Sequence, residues 1–122
     1  MEFYICEHCG NIVAYVESSG VPIICCGQPM TKLEPNTKEA ATEKHIPVVA
    51  REGNLVTVTV GSVEHPMLPE HHIAWVALQT KLGNQRKQLP VAGKPTAQFA
   101  LVAGDEIEAV YAYCNLHGLW KA

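Results

Sequence analysis

The sequence predicts an all-β protein built in two parts, on three observations. Short runs rich in β-branched and aromatic residues alternate with Gly, Pro, Asn and Ser turns along most of the chain. No stretch carries a long helical period. The thiols and imidazoles are also segregated: Cys6, Cys9, Cys25 and Cys26 come early with His8, whereas His45, His65, His71, His72, Cys114 and His117 come later.

The first region, residues 1–36, holds the strand-like runs "FYIC", "NIVAYVES" and "VPIICC". Turns at Gly10-Asn11 and Ser18-Ser19-Gly20 separate them. So few apolar residues cannot build a self-sufficient core, so a metal would have to staple the region. The stretch "LEPNTKEAATEKH" then reads as a connector. Within it Asn36 to Ala41 is expected to form a short helical turn, because Asn and Thr cap well and Ala and Glu extend well. The boundary is placed near residue 36. In the second region, residues 37–122, "NLVTVTVGSV" alternates polar and apolar residues at period 2. "HHIAWVALQT", "AQFALVAG" and "EIEAVYAYC" supply further strands at short spacing, the pattern of a β-sandwich or barrel.

Bulk properties exclude several classes. A chain of 122 residues with 48% hydrophobic and 17% charged content folds rather than remaining disordered. A net charge of −3 offers no basic surplus for nucleic acid. No apolar run approaches the roughly 20 residues that span a bilayer. The N-terminus "MEFYICEHCG" lacks the basic and apolar segments of a secretory signal. The expected compartment is therefore the cytoplasm, where thiols stay reduced. Five cysteines there read as metal ligands or reactive thiols before disulfides.

Cys6-x2-Cys9 is a metal knuckle whose turn amides can hydrogen-bond the sulfurs. After fifteen intervening residues Cys25-Cys26 supply the second pair, and four thiolates suit a tetrahedral zinc or iron. The usual zinc pattern leaves a gap of two in each half. The adjacent pair has none, so its ligands must splay and the tetrahedron should distort. His8 reads as a solvated turn residue, since the sulfurs already complete the set.

Five histidines in one small β region, with Cys114-x2-His117 as a chelating pair at a strand end, point to a second metal site. Imidazoles with one thiolate suit iron, copper or zinc. The surplus of histidines argues against a blue-copper arrangement, and Met67 reads as a packing residue rather than an axial ligand.

Cys-x2-Cys-x15-Cys-Cys followed by Gly27 and Pro29-Met30 resembles the desulforedoxin module, in which four thiolates hold a rubredoxin-like iron. Glu43-Lys44-His45-Ile46-Pro47-Val48, His65-Pro66-Met67, His71, Trp75 and Cys114-Asn115-x-His117-Gly118-Leu119-Trp120-Lys121 resemble the neelaredoxin domain of superoxide reductases. Both modules in this order are similar to the desulfoferrodoxin family. The resemblance implies an immunoglobulin-like β-sandwich after the small module. It implies two non-heme irons, one on Cys6, Cys9, Cys25 and Cys26 and one on His45, His65, His71 and His117 with Cys114 axial. It further implies one-electron reduction of superoxide to hydrogen peroxide, serving oxidant detoxification in an anaerobe or microaerophile, a rubredoxin-like electron donor and a homodimer. His72 stands where the family commonly has an aromatic residue. Strand alternation sends His71 and His72 to opposite faces, and the six-residue step from His65 favours His71. Lys44 would attract the anionic substrate, and Glu43 could swing toward the vacant iron position. Two other classes stay open: a non-catalytic electron carrier, and a zinc ribbon joined to a binding sandwich.

Overall fold

The computed structural model describes residues 1–122 and divides into two compact units, Met1–Glu34 and Pro35–Ala122. In the first, β1 (Phe3–Ile5) pairs antiparallel with β2 (Ile12–Ala14). A separate hairpin joins β3 (Ile24–Cys25) to β4 (Gln28–Pro29), and β5 (Thr31–Lys32) returns to the other edge of β1. Phe3, Cys6 and Met30 are the buried hydrophobic residues of this unit, while Val16, Val21 and Ile24 are exposed. So small an apolar core matches the expectation that the unit needs a staple.

The turn between β3 and β4 resolves the adjacent-cysteine problem. Its two residues, Cys26 and Gly27, have φ of 52° and 76°. Two successive left-handed residues in a two-residue hairpin loop are the mark of a type I′ turn. Strand alternation therefore stops at Cys25, and Cys26 is re-aimed by the turn.

In the second unit the connector departs from the sequence expectation. No helical turn forms over residues 36–41. Asn36 is itself left-handed, with φ of 61°. Its amide spans the Lys121 backbone, accepting from the N–H at 2.8 Å and donating to the carbonyl at 3.1 Å. That side chain is used across the unit instead of capping a helix. The only helical turn comes later, as α1 (Thr42–His45). Ala41 precedes it and gives no side-chain cap.

Two antiparallel sheets follow. β6 (Pro47–Glu52), β7 (Leu55–Val60) and β10 (Thr96–Ala100) form one, in the order β10-β7-β6. β8 (Ile73–Thr80), β9 (Gly83–Gln88), β11 (Ile107–Cys114) and β12 (Gly118–Lys121) form the other, in the order β12-β11-β8-β9. Val56, Val58 and Val60 alternate inward along β7, as the period-2 pattern requires. They share a core with Phe99, Val76, Leu78, Val110 and Ala112. The arrangement is the two-sheet sandwich expected. It delivers Cys114, fully buried, to the end of β11.

Candidate metal centres

In the first unit the four sulfurs of Cys6, Cys9, Cys25 and Cys26 lie within 4.8 Å of one another. Tetrahedral metal–thiolate bonds of about 2.3 Å give sulfur–sulfur edges of about 3.8 Å. Cys9 and Cys25 are 3.6 Å apart, and the adjacent Cys25 and Cys26 are 4.0 Å apart. Both distances are close to that edge, so the adjacent cysteines can share one ion. The Cys9 amide donates to Cys6 Sγ at 3.4 Å, and the Asn11 side-chain amide donates to Cys25 Sγ at 3.8 Å. The Cys9 amide, foremost, pulls the Cys6 thiol down to about 6. Neighbouring thiols, Cys9 first and then Cys6, push Cys26 up to about 12. Four thiols this close cannot all ionise without a cation among them, and a bound metal supplies one. His8 is exposed in the knuckle turn.

The second group combines His45, His65, His71, His117 and Cys114, again with all donor atoms within 4.8 Å. His45 Nε2 lies 3.1 Å from His117 Nδ1 and 3.1 Å from His65 Nε2. Imidazoles about 2.1 Å from one ion in a square plane would bring adjacent nitrogens to about 3.0 Å. The ring contacts close the square. Neighbours His45–His65, His65–His71, His71–His117 and His45–His117 meet edge-on at 74°, 83°, 77° and 88°. His45 and His71, across the diagonal, are 6.4 Å apart and tilted by only 31°. Cys114 Sγ sits 3.4 Å from His65 Nε2 and 3.8 Å from His117 Nδ1, on one side of this ring of nitrogens.

Local structure aims each donor. His45 ends α1, and its Nδ1–H donates to the Ala41 carbonyl at 2.7 Å, leaving Nε2 as the lone-pair face. His65 Nδ1–H donates to the Pro66 carbonyl at 2.7 Å with the same result. Such hydrogen bonds fix tautomer and ring orientation in metal sites. Trp120 stacks on His45 at 4.8 Å and donates from its indole N–H to the His117 carbonyl at 3.0 Å. His71 Nε2 is buried and has no hydrogen-bond partner. Such an orphaned acceptor is costly unless something else fills its place. Burial first, and the neighbouring imidazoles after it, lower the basicity of His45, His65 and His71, with His65 down to about 4. Neutral rings with free lone pairs result. Burial pushes the Cys114 thiol up against the opposing Leu116 and His117 amides. A cation in the ring would stabilise its thiolate.

His72 stays outside the group. Its Nδ1–H donates to the Leu68 carbonyl at 3.0 Å and its backbone N–H to Asn115 Oδ1 at 2.8 Å. The two histidines diverge in a bridge turn that pairs Leu68 with His71, ahead of the strand proper. Met67 packs on the core, its sulfur accepting from the Ile73 amide at 3.4 Å. Glu43 and Lys44 are exposed on α1, beside the buried His45. The positive charge of Lys44 is felt at both His45 and His71. The Glu43 carbonyl accepts from the Val63 amide at 2.9 Å and the Ser62 hydroxyl at 3.3 Å. Gly61 makes this approach possible, since a Cβ there would stand 2.5 Å from that carbonyl oxygen. Gly61 and the Ala41 and Pro66 carbonyls carried no signal in the sequence, because a backbone acceptor or a close approach leaves no residue-type mark, and Asn115 stood in the quoted motif without a role.

The donor sets fit two metal centres, and the family comparison agrees. The desulfoferrodoxin family model matches residues 37–122, and the model of the desulfoferrodoxin N-terminal domain matches residues 1–33.

The chain belongs to the desulfoferrodoxin family.

Members of this family carry two iron centres. A desulfoferrodoxin homolog of Archaeoglobus fulgidus is 45% identical over 122 residues, covering 100% of this chain and 96% of the relative. A desulfoferrodoxin of Nitratidesulfovibrio vulgaris is 44% identical over 121 residues, covering 99% and 94%. Among solved structures, the superoxide reductase from Treponema pallidum superimposes with a TM-score of 0.83 at 42% identity, over 98% of each chain. The one-iron superoxide reductase from Giardia intestinalis aligns with 66% of this chain and 95% of its own, with a TM-score of 0.55 at 35% identity.

Proposed function

We propose that this protein is a superoxide reductase, with the chemistry at the His45, His65, His71, His117 and Cys114 centre. The observation that carries this is the square of imidazole nitrogens, 3.1 Å apart along two measured edges, with one thiol on a single side. Five donors arranged so leave the opposite side of the ring free of protein ligands, where a small anion can enter. Bound there, iron would supply the single electron that, with two protons, converts superoxide to hydrogen peroxide.

The chain's own groups do the rest. The buried rings stay neutral and hold their lone pairs inward. The Ala41 and Pro66 carbonyls fix which nitrogen faces the centre. Lys44 offsets the negative net charge of the molecule and draws the anion toward the open side, as local cations do for charged substrates. It also orders water that delivers protons. Glu43, its neighbour, is the candidate to occupy the open side when substrate is absent. Cys6, Cys9, Cys25 and Cys26 hold the other iron, which staples the small unit. The electron consumed each turn comes from outside, and a rubredoxin-like one-electron carrier in the cytoplasm is the proposed donor. The exposed Val16, Val21 and Ile24 of the small unit favour a homodimer.

The test is product stoichiometry under a steady superoxide flux with excess reductant. A reductase yields one hydrogen peroxide for each superoxide and evolves no dioxygen. Dioxygen at one for every two superoxide ions would mean dismutation and overturn the proposal.

A further inference from the structure

Asn115 opens the turn between Cys114, at the end of β11, and His117. Its side chain and backbone make three hydrogen bonds, all to residues flanking His71. Oδ1 accepts from the His72 amide at 2.8 Å. Nδ2–H donates to the Glu70 carbonyl at 3.1 Å. Its own backbone N–H donates to the His72 carbonyl at 3.2 Å. The peptide that carries His71 is thus clamped on both sides to the turn that carries the thiol. The remaining support is the bridge in which Leu68 and His71 exchange N–H···O bonds of 2.9 and 3.1 Å.

This matters because His71 is held differently from His45 and His65. The rings of His45 and His65 are each aimed by a 2.7 Å hydrogen bond to a carbonyl. No such bond aims the His71 ring, whose buried Nε2 is left without a partner. With no hydrogen bond on the ring, the direction of that nitrogen depends on the edge-on His65 and His117 rings and on the backbone beneath it. Carboxamides suit this task, offering an acceptor and a donor in one rigid plane.

We infer that Asn115 is the positioning residue for His71, locking the fourth imidazole in register with the Cys114 thiolate. The inference rests on the reading of these five residues as a metal centre. Partners of this kind, one step removed from the metal, typically alter affinity by about 10–100-fold when removed.

The test uses the full-length iron-loaded protein, reduced and challenged with a ferrous chelator, with iron loss followed separately at the two centres by their absorption. Asn115→Ala should release iron from the His/Cys centre at least about tenfold faster than wild type and leave the four-thiolate centre unchanged. Asn115→Asp keeps the acceptor for the His72 amide but loses the donor to Glu70, so its rate should fall between the two. Combined with His71→Ala, Asn115→Ala should add little further loss, because both act through one ligand. Wild-type release from Asn115→Ala, equal loosening of both centres, or full additivity with His71→Ala would overturn the inference while leaving the metal centre intact. If Asn115→Ala fails to fold, Asn115→Asp decides alone: a wild-type release rate from it overturns the inference. A wild-type protein that holds iron only at the four thiols would overturn the inference together with the reading beneath it.

Discussion

Lys44 is an exposed side chain beside a buried site. It follows Glu43 on α1 and precedes His45, which is only 3% exposed. Its charge contributes to lowering the basicity of His45 and His71, so the field it casts reaches the ring of imidazoles. Lys44→Ala should therefore slow superoxide capture by about tenfold, within the range of electrostatic steering, and flatten the dependence of the rate on ionic strength. Pulse radiolysis over a salt series measures both, and an unchanged second-order rate would remove Lys44 from the mechanism. Gly61 acts on the same segment through sterics. An added methyl would press on the Glu43 carbonyl at 2.5 Å, a backbone atom that cannot rotate away. Gly61→Ala should cost about 1–3 kcal/mol, as overpacking does, and displace α1 and His45 with it. A thermal melt read together with the iron content of the His/Cys centre checks this, and a wild-type melting temperature with full iron would contradict it.

Elements differed in how legible they were. β7 could be read because Val56, Val58 and Val60 alternate with threonines and all point inward. β9, "GNQRKQ", could not, for it is an edge strand whose residues face mostly water. Its polar side chains guard the sheet edge, and it is a strand only because β8 turns back onto it. The expected helix at 36–41 failed for a similar reason: the Asn36 amide is committed to Lys121, a partner 85 residues away. In the small unit the cysteine spacing announced a metal, but nothing local announced the left-handed Cys26 that lets neighbouring sulfurs share it. The loop between β10 and β11 carries a further element-scale device. Burial opposes the charge on Asp105, but the Thr80 hydroxyl and the Leu82 and Glu106 amides outweigh it and hold the carboxyl below its ordinary value. A lowered folded value means stability that is present above the ordinary carboxylate range and lost as pH falls through the folded value. Asp105→Asn should thus lower the melting temperature at neutral pH, with the gap from wild type closing as the pH drops below about 4. A gap that persists unchanged into acid would show that packing, not charge, accounts for it.

At the scale of the whole molecule, two units with different donor sets let one chain hold two irons of different character. Four thiols surround the first group. Four imidazoles and one thiol, carried on the sandwich, make up the second. Both donor clusters were visible in the sequence because thiols and imidazoles are rare enough for their clustering to carry meaning, while the choice among the histidines came from the resemblance. The arrangement of four imidazoles around one thiol came from the resemblance as an expectation, and the ring and donor distances give it its geometry. The most direct test follows both centres at once. The fully reduced protein is mixed rapidly with superoxide, and the absorption of each centre is recorded during a single turnover. The expected result is oxidation of the His/Cys centre alone, with its long-wavelength thiolate band appearing as one superoxide is consumed per centre and the four-thiolate bands unchanged. Oxidation of the four-thiolate centre first, or superoxide loss without any change at the His/Cys band, would contradict it.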